Sequence, residues 1–171
     1  VGESISVPNP VSPPDGEPVE RENFVLLMGR NDPVKGHSFA YSLGIDDLRV
    51  TGIEQAPDGV TALGWVSEKE KWSLLRRAKV LIVPSEYEGQ PMVILEALSV
   101  GCPVVASTNV PDLPGCVQTA DVGDKNAWLE AIANPISEGL EDAVAKHNID
   151  AVSAQWGEIY DRIVDSRAST E

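Results

Sequence analysis

Short apolar runs alternate with stretches whose apolar residues recur at helical spacing, and the alternation continues from residue 24 to the last helix. Runs at 24–28, 48–53, 61–65, 79–83 and 103–106 read as strands, with a shorter sixth near Val117. They are apolar without period-two alternation, as in VLIV at 80–83, the signature of strands covered on both faces. Helices are predicted at 37–43, closed by Gly44, at 68–77, and at 92–100, stopped by Gly101. A fourth begins after Asp124 and ends before Pro135, and a last one covers about 148–165. Ser67 with Glu70 forms a capping box for the second helix, and Asp124 is the cap of the fourth. The last helix places Ile149, Val152, Trp156, Ile159 and Ile163 on one face. Strands alternating with helices predict an α/β fold, a Rossmann-like, doubly wound parallel sheet of about six strands. Residues 1–22, rich in Pro, Glu and Ser, read as a linker, and 23–171 as one domain.

Within this pattern, residues 79–107 (KVLIVPSEYEGQPMVILEALSVGCPVVAS) carry the candidate chemistry. A strand ends at Pro84-Ser85, a polar elbow follows, and a helix begins near Met92. Free N–H groups at a helix N-terminus attract phosphate. Glu88 and Glu96 lie on either side of that helix start. A carboxylate there accepts two hydrogen bonds from a pair of sugar hydroxyls. Glu96 interrupts an otherwise apolar helix, MVILEALSV, a costly position unless it has a partner. The stretch therefore reads as a site for a ligand with both phosphate and sugar hydroxyls.

The same residues resemble the E-x7-E signature of retaining GT-B glycosyltransferases, the group 1 or family-4 class, with Glu88 and Glu96 on its acidic positions. Upstream, Gly29-Arg30-Asn31-Asp32-Pro33-Val34-Lys35-Gly36 is similar to the family's G-R-x4-K-G. Leu63-Gly64-Trp65-Val66-Ser67 is similar to its short strand ending in G-x-V. The motifs occur in family order, and the resemblance extends over roughly residues 5–164. Ser6–Val11 resembles the connection that precedes the family's C-terminal domain.

The resemblance implies the donor-binding half of a glycosyltransferase, taking a sugar from a nucleoside-diphosphate sugar with retention. By it, Arg30 and Lys35 hold the diphosphate and Glu88 contacts the donor sugar, the catalytic set. Glu96 takes the ribose hydroxyls, and Gly29 and the backbone near Val66 complete the nucleotide side. The helix start at Gly89, Gln90, Pro91, Met92 and Val93 faces phosphate or donor-sugar oxygens. No metal and no further cofactor are expected, because the cation pair and helix N-terminus do the work of magnesium. An N-terminal GT-B domain carrying the acceptor is expected in the full-length protein. One departure from the family pattern lies at 37–63, too short for its usual helix, strand and helix. The helix after strand two is expected to be missing, with the loop 54–60 in its place and a barer sheet edge beside it.

Composition narrows the partners. The formal charge is −14 and the pI about 4.4, which excludes the basic face that nucleic acid requires. Anionic membrane surfaces are disfavoured for the same reason. An anionic ligand must then be met locally, by Arg30 and Lys35. Cys102 and Cys116 read as buried free thiols, without metal-ligand spacing. No run is long enough for a membrane span and no signal-peptide pattern appears, so a cytoplasmic location is expected. The chain begins at Val1 without methionine and reads as part of a longer protein. Trp65 is either core or a ring flanking the base; His37, just past Lys35-Gly36, reads as a surface residue with a contact to phosphate as the alternative, and His147 as a helix-start residue without a role.

Two other functions stay open: a non-catalytic nucleotide-sugar binding module, and a nucleotide-sugar epimerase of the same fold. The E-x7-E spacing together with G-R-x4-K-G favours the transferase. A flavodoxin-like signalling domain would need acidic residues where Arg30 stands.

Overall fold

The computed structural model describes residues 5–17 and 19–168, with side chains to residue 165. Six strands form one sheet: β1 (Val25–Met28), β2 (Leu48–Thr51), β3 (Val60–Ala62), β4 (Val80–Val83), β5 (Val104–Ser107) and β6 (Gln118–Ala120). Their order is β3-β2-β1-β4-β5-β6, and every pairing is parallel. The helices are α1 (His37–Ser42), α2 (Glu68–Arg77), α3 (Met92–Ser99), α4 (Lys125–Ala133), α5 (Leu140–Ala143) and α6 (Ile149–Ala168). The predicted parallel α/β sheet is therefore present, with its longer elements within a few residues of their expected bounds.

The core has two layers because alternate strand residues point to opposite faces. Phe24, Leu26, Leu81, Val83 and Val104 pack on one side with Trp72 and Leu75 of α2 and Ile94 and Leu98 of α3. Val25, Leu27, Val80, Ile82 and Val105 pack on the other with Ala40 of α1 and Trp128 and Ile132 of α4. The predicted caps are formed. The Ser67 hydroxyl accepts from Glu70 N while the Glu70 carboxylate accepts from Ser67 N. Asp124 accepts from Ala127 N. Residues between β2 and β3 form turns and no helix, as the shortened spacing predicts, and the three-residue β3 is the sheet edge on that side.

Several expectations are corrected by packing. The described part of the N-terminal segment is extended but not loose. Val11 is buried in the core, its N–H donates to His147 O at 2.7 Å, and it bridges Asn148. His147, expected to have no role, is buried, and its Nδ1 donates to Asn9 O at 2.9 Å. Its ring thus ties residues 9–11 to the turn before α6. Residues 1–4 and 18 of the expected linker, and 169–171 of the expected domain, lie outside the described residues. On α6 only Val152 of the predicted apolar face is buried; Ile149, Trp156 and Ile163 are exposed. Both cysteines are free, as read; Cys102 is buried before β5 as expected, whereas Cys116 is only half-buried before β6. Burial pushes the Cys102 thiol up to about 11.

Candidate functional site

The chain runs from β1 outward to β2 and β3, then crosses back to β4 beside β1 and proceeds to β5 and β6. Strand order therefore reverses between β1 and β4. In open parallel sheets the loops leaving the carboxyl ends of two such strands diverge and leave a crevice where ligands bind. Gly29–Gly36 follows β1 and Ser85–Glu88 follows β4, so two of the motifs read in the sequence flank that crevice.

The turn after β1 is built from within. Asp32 caps a short 3-10 turn, Pro33–Lys35, by accepting from Val34 N at 3.1 Å. Val34 O in turn accepts from Glu86 N at 2.8 Å, which pins the β1 loop to the β4 loop. Across that junction the Lys35 ammonium lies 2.6 Å from Glu88 Oε1, and the Ser85 hydroxyl donates to the same oxygen at 2.8 Å. Glu88 is only 11% exposed, so the pair is partly desolvated. Arg30 is 69% exposed and rests on Asp32 at 3.3 Å. An exposed pair of that kind contributes little to stability, so Arg30 is free to turn toward an anion at small cost.

Glu96 has the partner its apolar helix requires. Lys71 of α2 donates to Glu96 Oε1 at 2.8 Å. Both line a hollow of about 240 Å³ with Gly29, Arg30, Val66 and Val93. Trp65 stands at this hollow and is 76% exposed, so it is not core. The structure thus gathers Gly29, Arg30, Val66, Val93 and Glu96 on one cavity, with the Lys35–Glu88 pair across the β1–β4 junction.

The start of α3 is divided. Pro91 is its N-cap and no side chain caps its first N–H groups. Val93 lines the hollow with Glu96, whereas Gln90 and Pro91 line a separate one of about 440 Å³ with Ile94 and His147. Gln90 Oε1 accepts from Asn9 at 2.6 Å. Met92 packs against the core, and Gly89 lines neither hollow. A larger hollow, about 590 Å³, lies between residues 12–15 and α2, and no motif residue lines it. Among the described residues no group of three or more His, Cys, Asp or Glu side chains gathers to hold a metal.

Lys71 and Thr51 of the hollow were not read from the sequence, and His37 was misread. His37 is 4% exposed, not on the surface, and neither ring nitrogen has a hydrogen-bond partner among the described residues. Burial lowers its pKa from the ordinary 6.5; the Gly29 backbone and Asp32 oppose this in part, and Lys35 adds to it. The unfolded chain therefore takes the proton first as pH falls. The stability this creates is complete above about 6.5 and is lost as pH drops from there through the folded pKa. Melting temperature should fall more steeply between about pH 7 and 5 in the wild type than in His37→Leu. Parallel slopes for the two proteins would contradict this account.

The chain belongs to the group 1 glycosyl transferases, whose family profile matches residues 24–146. It is 42% identical over 81 residues to O-antigen chain mannosyltransferase B of Escherichia coli, covering 47% of this chain and 21% of that protein. It is 29% identical over 119 residues to an uncharacterized 41.2 kDa protein in the cps region of Klebsiella pneumoniae, covering 61% of this chain and 33% of that one. The fold matches sucrose-phosphate synthase from Thermosynechococcus elongatus, with a TM-score of 0.69 at 22% identity over 85% of this chain and 46% of that one. It also matches AviGT4, a glycosyltransferase involved in avilamycin A biosynthesis, with a TM-score of 0.73 at 23% identity over 93% and 57%. The chain thus spans a minor part of the curated relatives and about half of these structures. Among the described residues no helix is long and apolar enough to cross a membrane.

Proposed function

We propose that this chain is the donor-binding half of a glycosyltransferase that takes a sugar from a nucleoside-diphosphate sugar with retention. The observation that carries the proposal is the Lys35–Glu88 pair at the reversal of strand order, beside a hollow lined by Arg30 and Glu96. In this reading the diphosphate draws Lys35 away from Glu88 and takes Arg30 from Asp32. Glu88, released, accepts from hydroxyls of the donor sugar. Glu96 accepts from the ribose diol. The two cations and the uncapped N-terminus of α3 offset charge on the departing diphosphate, so no metal is required. The anomeric carbon passes to an acceptor held by an N-terminal domain, which this reading places opposite the crevice.

The test is titration calorimetry. Arg30→Ala and Lys35→Ala should each weaken nucleoside-diphosphate binding by about 1.5–3 kcal/mol, the range of charge-assisted hydrogen bonds. Bare nucleoside should bind as to the wild type. Equal losses for nucleoside and diphosphate would show that these cations do not touch phosphate.

A further inference from the structure

Lys71 is the least expected member of the hollow. It sits on the first turn of α2, just past the Ser67 cap, and reaches across to α3. Its ammonium is 2.8 Å from Glu96 Oε1 and 2.8 Å from Glu68 Oε2. Burial works against this charge, but hydrogen bonds and charge from Glu68 and Glu96 outweigh it and raise the pKa. The ammonium is therefore a permanent donor with three N–H groups and no acceptor. Glu68 and Glu96 are the acceptors it meets among the described residues. Three carboxylate oxygens meet these donors, Glu96 Oε1 at 2.8 Å and Glu68 Oε1 and Oε2 at 2.9 and 2.8 Å. The Glu68 side chain is 79% exposed, so water takes it over at small cost and frees a donor toward the hollow that Lys71 shares with Thr51, Trp65, Val66 and Glu96.

If Glu96 holds the ribose, the base attached to it lies in this hollow, next to Lys71 and against the exposed Trp65 ring. Bases differ there in sign. Both purines present the N7 acceptor, but at C6 guanine carries the O6 acceptor where adenine carries the N6 amine donor, and a 4-oxopyrimidine presents the O4 acceptor. A lysine cannot accept, so it rewards an oxo edge and leaves an adenine amine facing another donor. We infer that Lys71 is a specificity-determining residue that selects a donor nucleotide with an oxo-bearing base, guanine or uracil, over adenine. This rests on the nucleotide-sugar reading above. Glu68 and Glu96 keep the ammonium at the hollow when no ligand is bound.

The experiment titrates the chain with GDP, UDP and ADP and compares the ratios of affinity. In the wild type, GDP or UDP should bind at least about tenfold more tightly than ADP, the scale of one good base-edge contact. Whichever of the two leads identifies the base. Lys71→Met should bring the three within about threefold of one another, because the preference, not merely the affinity, is lost. Lys71→Gln carries the same test with a polar side chain of similar length, should Lys71→Met fail to fold. Its amide both donates and accepts, so it tolerates either edge. A variant that weakens all three ligands equally would show that Lys71 only steadies Glu96, and would overturn the inference while leaving the nucleotide site intact. A wild type that binds the three alike would overturn it too. Binding of none of them would sink the nucleotide-sugar reading along with it.

Discussion

Gly36→Ala should destabilise the fold by roughly 2–5 kcal/mol and break the Lys35–Glu88 pair at the crevice. Gly36 has φ 70°, and a Cβ there would stand 2.1 Å from Pro84 O. The clash is with backbone at the end of β4, not with a side chain that can swing aside. The left-handed conformation costs an L-residue about 1–2 kcal/mol, and displacing the packed backbone adds roughly 1–3 kcal/mol. Relief requires the turn carrying Lys35 to lift from the β4 loop, which separates Lys35 from Glu88. Gly59→Ala is the control: φ is similarly positive, at 85°, but nothing lies within 4 Å of its Cβ. Urea denaturation should show a far larger loss for Gly36→Ala than for Gly59→Ala. Equal losses would mean that backbone strain alone is at work and the contact with Pro84 is not tight.

The second large effect is expected at Arg21. Its Nη1 donates to the carbonyls of Leu75, Arg76 and Ala78 at 3.2, 3.0 and 2.9 Å, and its Nη2 to Val100 O at 3.0 Å. These carbonyls end α2 and α3, where the last turns of a helix leave acceptors without intrahelical partners. A guanidinium at two helix C-termini also suits their partial negative charge. Arg21→Met keeps most of the volume and removes every donor. It should cost roughly 2–4 kcal/mol, because several part-buried acceptors lose a charged partner at once. Arg21→Lys should recover only a fraction, since a single ammonium cannot span both helix ends. Thermal melts with amide exchange at 75–78 and 100–102 would read this. A change under about 0.5 kcal/mol in Arg21→Met would show that water serves those carbonyls equally well.

The contrast between these residues explains what the sequence disclosed. Strands and helices follow from local patterns, so VLIV at 80–83, the Ser67 capping box and the Asp124 cap were legible. The missing helix before β3 was legible from the short spacing at 37–63 set against the family pattern. The motif residues were legible through their resemblance to the family's motifs, and Glu96 also because it interrupts an apolar helix. Arg21 and Lys71 act through partners far along the chain, such as Val100 and Glu96, and nothing in their own neighbourhoods marks them. His37 reads as a surface residue and His147 as a helix-start residue without a role because histidine is indifferent to apolar periodicity; burial placed both inside. Gln90 and Pro91 read with Val93 as one helix start, yet their side chains line a different hollow from Val93 and Glu96, because the two sides of a helix start face apart. The apolar face of α6 shows the reverse failure: periodicity marks residues that could be covered, not what covers them.

The two thiols differ in a way that has practical use. Cys102 is fully buried and burial pushes its thiol up to about 11, so it stays protonated at neutral pH and reagents cannot reach it. Cys116 is half-buried, in the turn that follows Pro114, which lines the hollow of Gln90 and His147. Burial raises the Cys116 thiol as well, so a maleimide dye or spin label added to the native chain reacts slowly, at Cys116 rather than at Cys102. Within this chain Cys116 is thus the addressable spectroscopic position, and Cys102 need not be removed to use it.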